Sequence, residues 1–109
     1  MDNRPGLPPP PDESARMAGR AAEAAAFLKA LAHEGRMMIL CHLVGGERTV
    51  TELEALLGQR QAAVSQQLAR LRAEGLVSCR RDGKARYYSL ADPRAAELVG
   101  LMYRLFCAR

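Results

Sequence analysis

The side chains with the widest chemical reach in this 109-residue chain are three cysteines, Cys41, Cys79 and Cys107, two histidines, His33 and His42, and a run of arginines between residues 60 and 86. Cys41 lies in MMILCHLV and Cys107 in LMYRLFCAR, each inside an otherwise mostly apolar stretch. A thiolate attacks electrophilic sulfur, and a second thiol can resolve the adduct. Cysteine is also a good small hydrophobe, so burial accounts for Cys41 readily and for Cys107 less well. Sequence spacing alone does not bring the two together. Three cysteines cannot all pair within one chain, and a reducing compartment disfavours permanent disulfides.

Other chemistries find little support. His33 and His42 have no partner at helical metal-ligand spacing and read as solvent-facing or capping residues. No four-ligand zinc pattern is present. No carboxylate pair, nucleophile–base set or phosphate-cradling loop points to an enzyme, and no metal or cofactor is expected.

The elements that must position these residues follow from the pattern. Residues 1–13, with prolines at 8–11, read as a disordered tail, and residues 14–109 as one small domain. Ser14 opens an alanine-rich helix to about Ala32, whose small residues allow another helix close approach. His33-Glu34-Gly35 interrupts it. A second helix runs through Met37, Leu40, Cys41 and Val44 to Gly45-Gly46. Thr49–Glu52 and Thr51–Glu54 both fit a capping box ahead of a short helix carrying Leu53, Leu56 and Leu57. A fourth helix spans 61–74, with Val64, Leu68 and Leu71 on one side and Gly75 at its end. Asp82-Gly83 marks a hairpin turn. Asp92-Pro93 starts a last helix, with Leu98, Leu101, Met102 and Leu105 as its apolar stripe. Cys107 falls about 180° from Leu98 on that helix.

Four helices, a β-hairpin and a final helix give a mainly α fold with a β-hairpin wing, a winged helix-turn-helix. The face of the fourth helix opposite its apolar stripe holds Ala62, Ser65, Gln66, Ala69 and Arg70. Alanines let a helix sit deep in a major groove, Gln66 can pair with an adenine edge, and Ser65 can serve a base or a phosphate. Arg60 and Gln61 stand at the helix start, within reach of bases or backbone. Residues 58–90 hold seven basic against two acidic residues, more net positive charge than the whole chain's +4. Arg81, Lys84 and Arg86, with Arg80, surround the wing turn and suit phosphates or a minor groove. A basic hairpin is also compatible with a merely solvated wing. A winged helix used for protein–protein contact is the alternative from another class; salt-insensitive binding would mark it. Of Tyr87 and Tyr88, alternation sends one inward and one outward. Cys79 reads as an ordinary strand residue.

The stretch FLKALAHEGRMMILCHLVGGERTVTELEALLGQRQAAVSQQLARLRAEGLVSCRRDGKARYYSL resembles the ArsR-type winged-helix repressors. The resemblance covers residues 20–107, and VSQQLARLRAEGLVSCRRDGKARYYSL is its most specific part. Glu34 stands where many members have proline. The resemblance implies a homodimer through the first and last helices, and repression of an operator in double-stranded DNA until an inducer weakens binding. One metal-sensing branch has a cysteine pair on the helix read here as TVTELEALL, which has none. Another has Asp and His along the last helix, where this chain offers Asp92 but no histidine. One cysteine on the second helix and one near the end of the last is similar to the dithiol branch that senses reactive sulfur species. That likeness implies that Cys41 and Cys107 are neighbours in one subunit, joined by a polysulfide or a disulfide on induction. A thiol-bound metal or metalloid, or peroxide, remains as an alternative inducer.

A pI near 9.3 favours an anionic partner. No stretch has the length of a membrane span, and the N-terminus lacks a signal-peptide core, so a cytoplasmic location is expected.

Overall fold

A computed structural model describes residues 11–107. Residues 1–10 of the expected tail, and residues 108–109, lie outside the described residues. The chain divides into two units, 1–30 and 31–109.

The described part of the first unit belongs to helix α1 (Pro11–Leu31), whose last residue, Leu31, falls in the second unit. Residues 11–13, expected in a disordered tail, instead form its first turn. Asp12 and Glu13 lie in that turn, at the positive end of the helix dipole.

The second unit carries α2 (Glu34–Val44), β1 (Arg48–Thr49), α3 (Val50–Leu57), α4 (Gln61–Ala73), β2 (Val77–Asp82), β3 (Ala85–Leu90) and α5 (Pro93–Phe106). His33 caps α2: its Nδ1 accepts from the N–H groups of Gly35 at 3.1 Å and Arg36 at 3.4 Å. Thr49 and Glu52 form the capping box of α3. Glu52 N–H donates to Thr49 Oγ1 at 3.1 Å, and Thr49 N–H donates to Glu52 Oε1 at 2.8 Å. Gly58, at φ +66°, ends α3 in the left-handed region that a side chain would strain. Asp92 caps α5, accepting from Arg94 N–H at 3.0 Å.

β1 is an element that the sequence pattern did not announce. It adds a third strand, giving the antiparallel order β1-β3-β2. Arg48 faces Tyr88 and Thr49 faces Tyr87 across the first ladder. Across the second, Cys79 faces Tyr88, Arg80 faces Tyr87 and Arg81 faces Arg86.

The core of this unit is built from Leu31, Ile39, Leu40, Leu53, Val64, Leu68 and Leu71, each at most 1 % exposed. Enclosing a side chain of this size contributes about 1.5–3 kcal/mol. α2 lies at the centre, packed against α3, α4, β3 and α5. Its buried residues are Ile39, Leu40 and Leu43, whereas Val44, expected on the core side, is exposed. On α5 the buried residues are Ala95 and Val99. Of the stripe expected there, Leu98 and Met102 are half-buried and Leu101 and Leu105 are exposed, Leu105 at 63 %, with Phe106 beyond it 81 % exposed. Small residues let α5 lie close to its neighbours, and its larger apolar groups are left over.

Candidate nucleic-acid interface

α4 owes its orientation to three fully enclosed residues, Val64, Leu68 and Leu71. With that face anchored, the 3.6-residue period turns Ala62, Gln66, Ala69 and Arg70 outward, and all four are exposed. Ser65 is half-buried because it looks into a groove of about 780 Å³ between α4 and the wing. Gln61, Ala69 and Arg72 line the α4 side of this groove, and Arg86 and Tyr88 the wing side. Arg60 is the N-terminal cap residue of α4 but gives it no side-chain hydrogen bond. The positive end of the helix therefore lies beside an exposed guanidinium, a combination suited to a phosphate.

Strand alternation sorts the wing's cations. Arg81 and Arg86 are directly opposed and share the sheet face of Tyr88, the face lining the groove. Lys84 lies at the turn and, with Gln61, Thr49, Thr51 and Arg86, lines a smaller groove of about 290 Å³. Arg80 takes the other face. Its guanidinium lies 4.5 Å from the centre of the Tyr87 ring, and its Nε donates to Glu47 Oε2 at 2.9 Å. That hydrogen bond holds the Glu47 carboxyl below its usual range. Tyr88 is the inward tyrosine, 8 % exposed, and burial first, then neighbouring Cys79, pushes its phenol upward.

The residues expected to meet DNA thus sit on two adjoining elements: Arg60, Gln61, Ala62, Ser65, Gln66 and Arg70 on α4 or at its start, and Arg81, Lys84 and Arg86 on the wing. Arg72 had counted only toward charge. It follows Gln61 by eleven residues, about 20° around the helix, so helical angle alone could have placed it in the groove.

The thiols occupy different surroundings. Cys41 is exposed on α2, not buried at a core edge. Cys107 is exposed at the C-terminal cap of α5, where its N–H donates to Tyr103 O at 2.8 Å. Cys79 is half-buried in β2. All three are free thiols, and α2 and α5 pack together. Among the described residues no cluster of three or more His, Cys, Asp or Glu could hold a metal ion. No helix among them is long and apolar enough to cross a membrane.

A helix with an outward polar face, a basic wing beside it and a groove between them define a winged-helix DNA-binding regulator. Comparison with known proteins agrees. The model for the bacterial regulatory protein, arsR family, matches residues 33–78. The biofilm growth-associated repressor of Agrobacterium fabrum is 49 % identical over 92 residues, 84 % of this chain and 79 % of that protein. The crystal structure of the transcriptional repressor BigR from Xylella fastidiosa superposes with a TM-score of 0.84 at 45 % identity, covering 88 % of this chain and 98 % of that one. A homodimeric winged helix-turn-helix DNA-binding domain from Mycobacterium bovis gives a TM-score of 0.69 at 32 % identity, covering 91 % and 89 %. The chain belongs to the ArsR family of transcriptional regulators.

Proposed function

We propose that this regulator is a homodimeric repressor whose grip on operator DNA is released when Cys41 and Cys107 are joined by reactive sulfur. The observation that carries the reading is the pairing of helices. α2, bearing an exposed free thiol, packs on α5, whose C-terminal cap is a second exposed free thiol. α2 also packs against α4, so a bond that pulls α2 toward the end of α5 acts directly on the helix that reads DNA.

The chemistry balances with the sulfane sulfur of the persulfide as the two-electron acceptor. A thiol takes the outer sulfur of a low-molecular-weight persulfide and releases the parent thiol. The second cysteine's thiolate then attacks the inner sulfur of that protein persulfide, a disulfide forms, and hydrogen sulfide leaves with the displaced electron pair. If both cysteines are first persulfidated, one attacking the other yields a trisulfide and hydrogen sulfide. The added sulfur spans a gap wider than a direct disulfide tolerates, whose Cα atoms lie within roughly 7 Å. A coupling of about 1–3 kcal/mol between bridge and DNA is enough for a useful switch.

Dimerisation draws on α1 and α5. α5 leaves Leu101, Tyr103, Leu105 and Phe106 exposed, and Met17 and Leu28 of α1 are exposed as well. Apolar groups of this size in water favour association. The name of the Agrobacterium relative supports repression, and the Mycobacterium domain supports a dimer.

The test is intact-protein mass spectrometry after separate treatment with an organic persulfide, a disulfide and peroxide, with DNA binding followed in parallel. A Cys41–Cys107 bridge formed by persulfide alone, with loss of binding, is the expected result. A bridge formed equally by peroxide makes the protein a general oxidation sensor. Normal release from DNA in a Cys107→Ser variant removes the dithiol mechanism.

A further inference from the structure

Arg80 is the one basic residue of the wing strands that is turned from the α4 groove, and its position is held by a residue distant in sequence. Besides the 2.9 Å bond to Oε2, its Nε lies 3.2 Å and its Nη2 2.5 Å from Glu47 Oε1. Both carboxylate oxygens are engaged while the guanidinium stays over the ring of Tyr87. Glu47 immediately precedes β1, and Arg80 lies in β2, so the pair crosses over the central strand β3. Tyr87 is the residue of β3 that faces both Arg80 and Thr49, and it forms the floor under the bridge. The next residue, Arg48, points the other way and donates from Nε to the His42 carbonyl in the last turn of α2 at 3.3 Å. β1 has only two residues and a correspondingly small share of ladder hydrogen bonds. Its flanking side chains therefore tie it on both faces, to the helices through Arg48 and to the wing through Glu47.

We propose that Glu47 is a positioning residue for the DNA-binding wing, holding Arg80 across Tyr87 so that the hairpin keeps a fixed angle to α4 and Arg80 stays out of the phosphate-contacting set. The proposal rests on the winged helix docking on duplex DNA. Isolated exposed ion pairs contribute little, but a bidentate pair backed by an aromatic face restricts geometry more than a single contact does.

Electrostatics and positioning predict opposite signs, which makes the idea testable. Glu47→Gln removes a negative charge from a DNA-binding protein, and charge alone predicts tighter binding to any duplex. Loss of the clamp predicts weaker binding to a selected site only. The experiment uses the full chain and two probes: a duplex of about 30 base pairs enriched from a random library by the unmutated protein, and the unselected library, each titrated over about 50–200 mM salt. For E47Q the expected result is roughly tenfold weaker binding to the enriched duplex, with binding to the unselected pool unchanged or tighter. R80Q should weaken the enriched site similarly while keeping the salt slope, and the double variant should bind no worse than either single one. Enriched-site binding by E47Q at or above the unmutated level overturns the clamp. So does an R80Q slope flattened by about 0.9, which would make Arg80 a phosphate contact. Circular dichroism monitors folding. If E47Q does not fold, E47D keeps the charge but is one methylene short of the same reach, and full specificity in that variant counts against the proposal. If the unmutated protein enriches no duplex, the interface reading itself fails, an outcome distinct from failure of the clamp alone.

Discussion

Arg81 and Arg86 are directly opposed across the wing ladder, side by side on the face that lines the α4 groove. Like charges placed directly opposite destabilise a sheet, and an anion lying between them relieves the repulsion. Arg86→Gln should therefore leave the free protein as stable or slightly more stable. It should also weaken DNA binding and lower the salt slope by about one phosphate's worth. Thermal unfolding and salt-dependent anisotropy on the same preparation check both halves. A variant that loses stability and keeps its salt slope would make this pair structural.

Gln66 is exposed on the outward face of α4, near Ala62 and Arg70. Gln66→Ala should relax selection at one base position, at a cost of about 1–3 kcal/mol for the preferred base, with unselected DNA bound as before. A library selection with the variant, compared position by position, is the measurement. Uniform weakening on every sequence would reassign Gln66 to the backbone.

Leu68 is wholly enclosed on the inner face of α4, between Val64 and Leu71. Leu68→Ala should cost about 2–5 kcal/mol of stability through lost burial and the cavity left behind. Thr49→Ala, which removes half of the α3 capping box, should cost about 1 kcal/mol. Urea titration of both ranks them, and a milder effect at Leu68 than at Thr49 would contradict the packing described for α4.

Hydrogen bonds from Arg94 to Asp92, and from Arg80 to Glu47, hold both carboxyls below their ordinary values. The folded state therefore binds fewer protons than the unfolded chain around pH 4, and stability rises with pH through that window. The contribution is complete above the unfolded carboxyl range and is lost as pH falls through the lower, folded values. Asp92→Asn should show a flatter acid limb in a plot of melting temperature against pH. An acid limb unchanged from the parent would deny Asp92 this role.

Cys79 is half-buried in β2, facing Tyr88, while Cys41 and Cys107 are exposed. Alkylation under native conditions should modify Cys41 and Cys107 ahead of Cys79. Peptide mapping over a time course reads the order directly, and early labelling of Cys79 would bring the wing thiol into the redox chemistry.

Elements with a local signature were legible in the sequence. Val64, Leu68 and Leu71 repeat at helical spacing, Asp82-Gly83 marks the wing turn, and Asp92-Pro93 starts α5. β1 was not legible, because two residues carry no period and Arg48–Thr49 become a strand only by pairing with Tyr87 and Tyr88 some forty residues later. The exposure of Leu101 and Leu105 on α5 was hidden for a related reason. Apolar periodicity records every surface a helix can bury and does not say which lies inside its own chain. Ala95 and Val99 look weak beside Leu101 and Leu105, yet they make the inward contacts because they fit. The Glu47–Arg80 pair had no short-range signal, since its partners meet only once the sheet exists.

The three anchors beneath α4 allow that helix a single roll angle. A residue inserted between Val64 and Leu68 would turn Leu68 and Leu71 by about 100° relative to Val64 and drive polar side chains into the interior. Exchanging Ala62, Gln66 or Arg70 leaves the anchors untouched. New target preferences are therefore open to this scaffold by point replacement and closed to it by changes of length, so the vocabulary can drift while the grammar stays fixed.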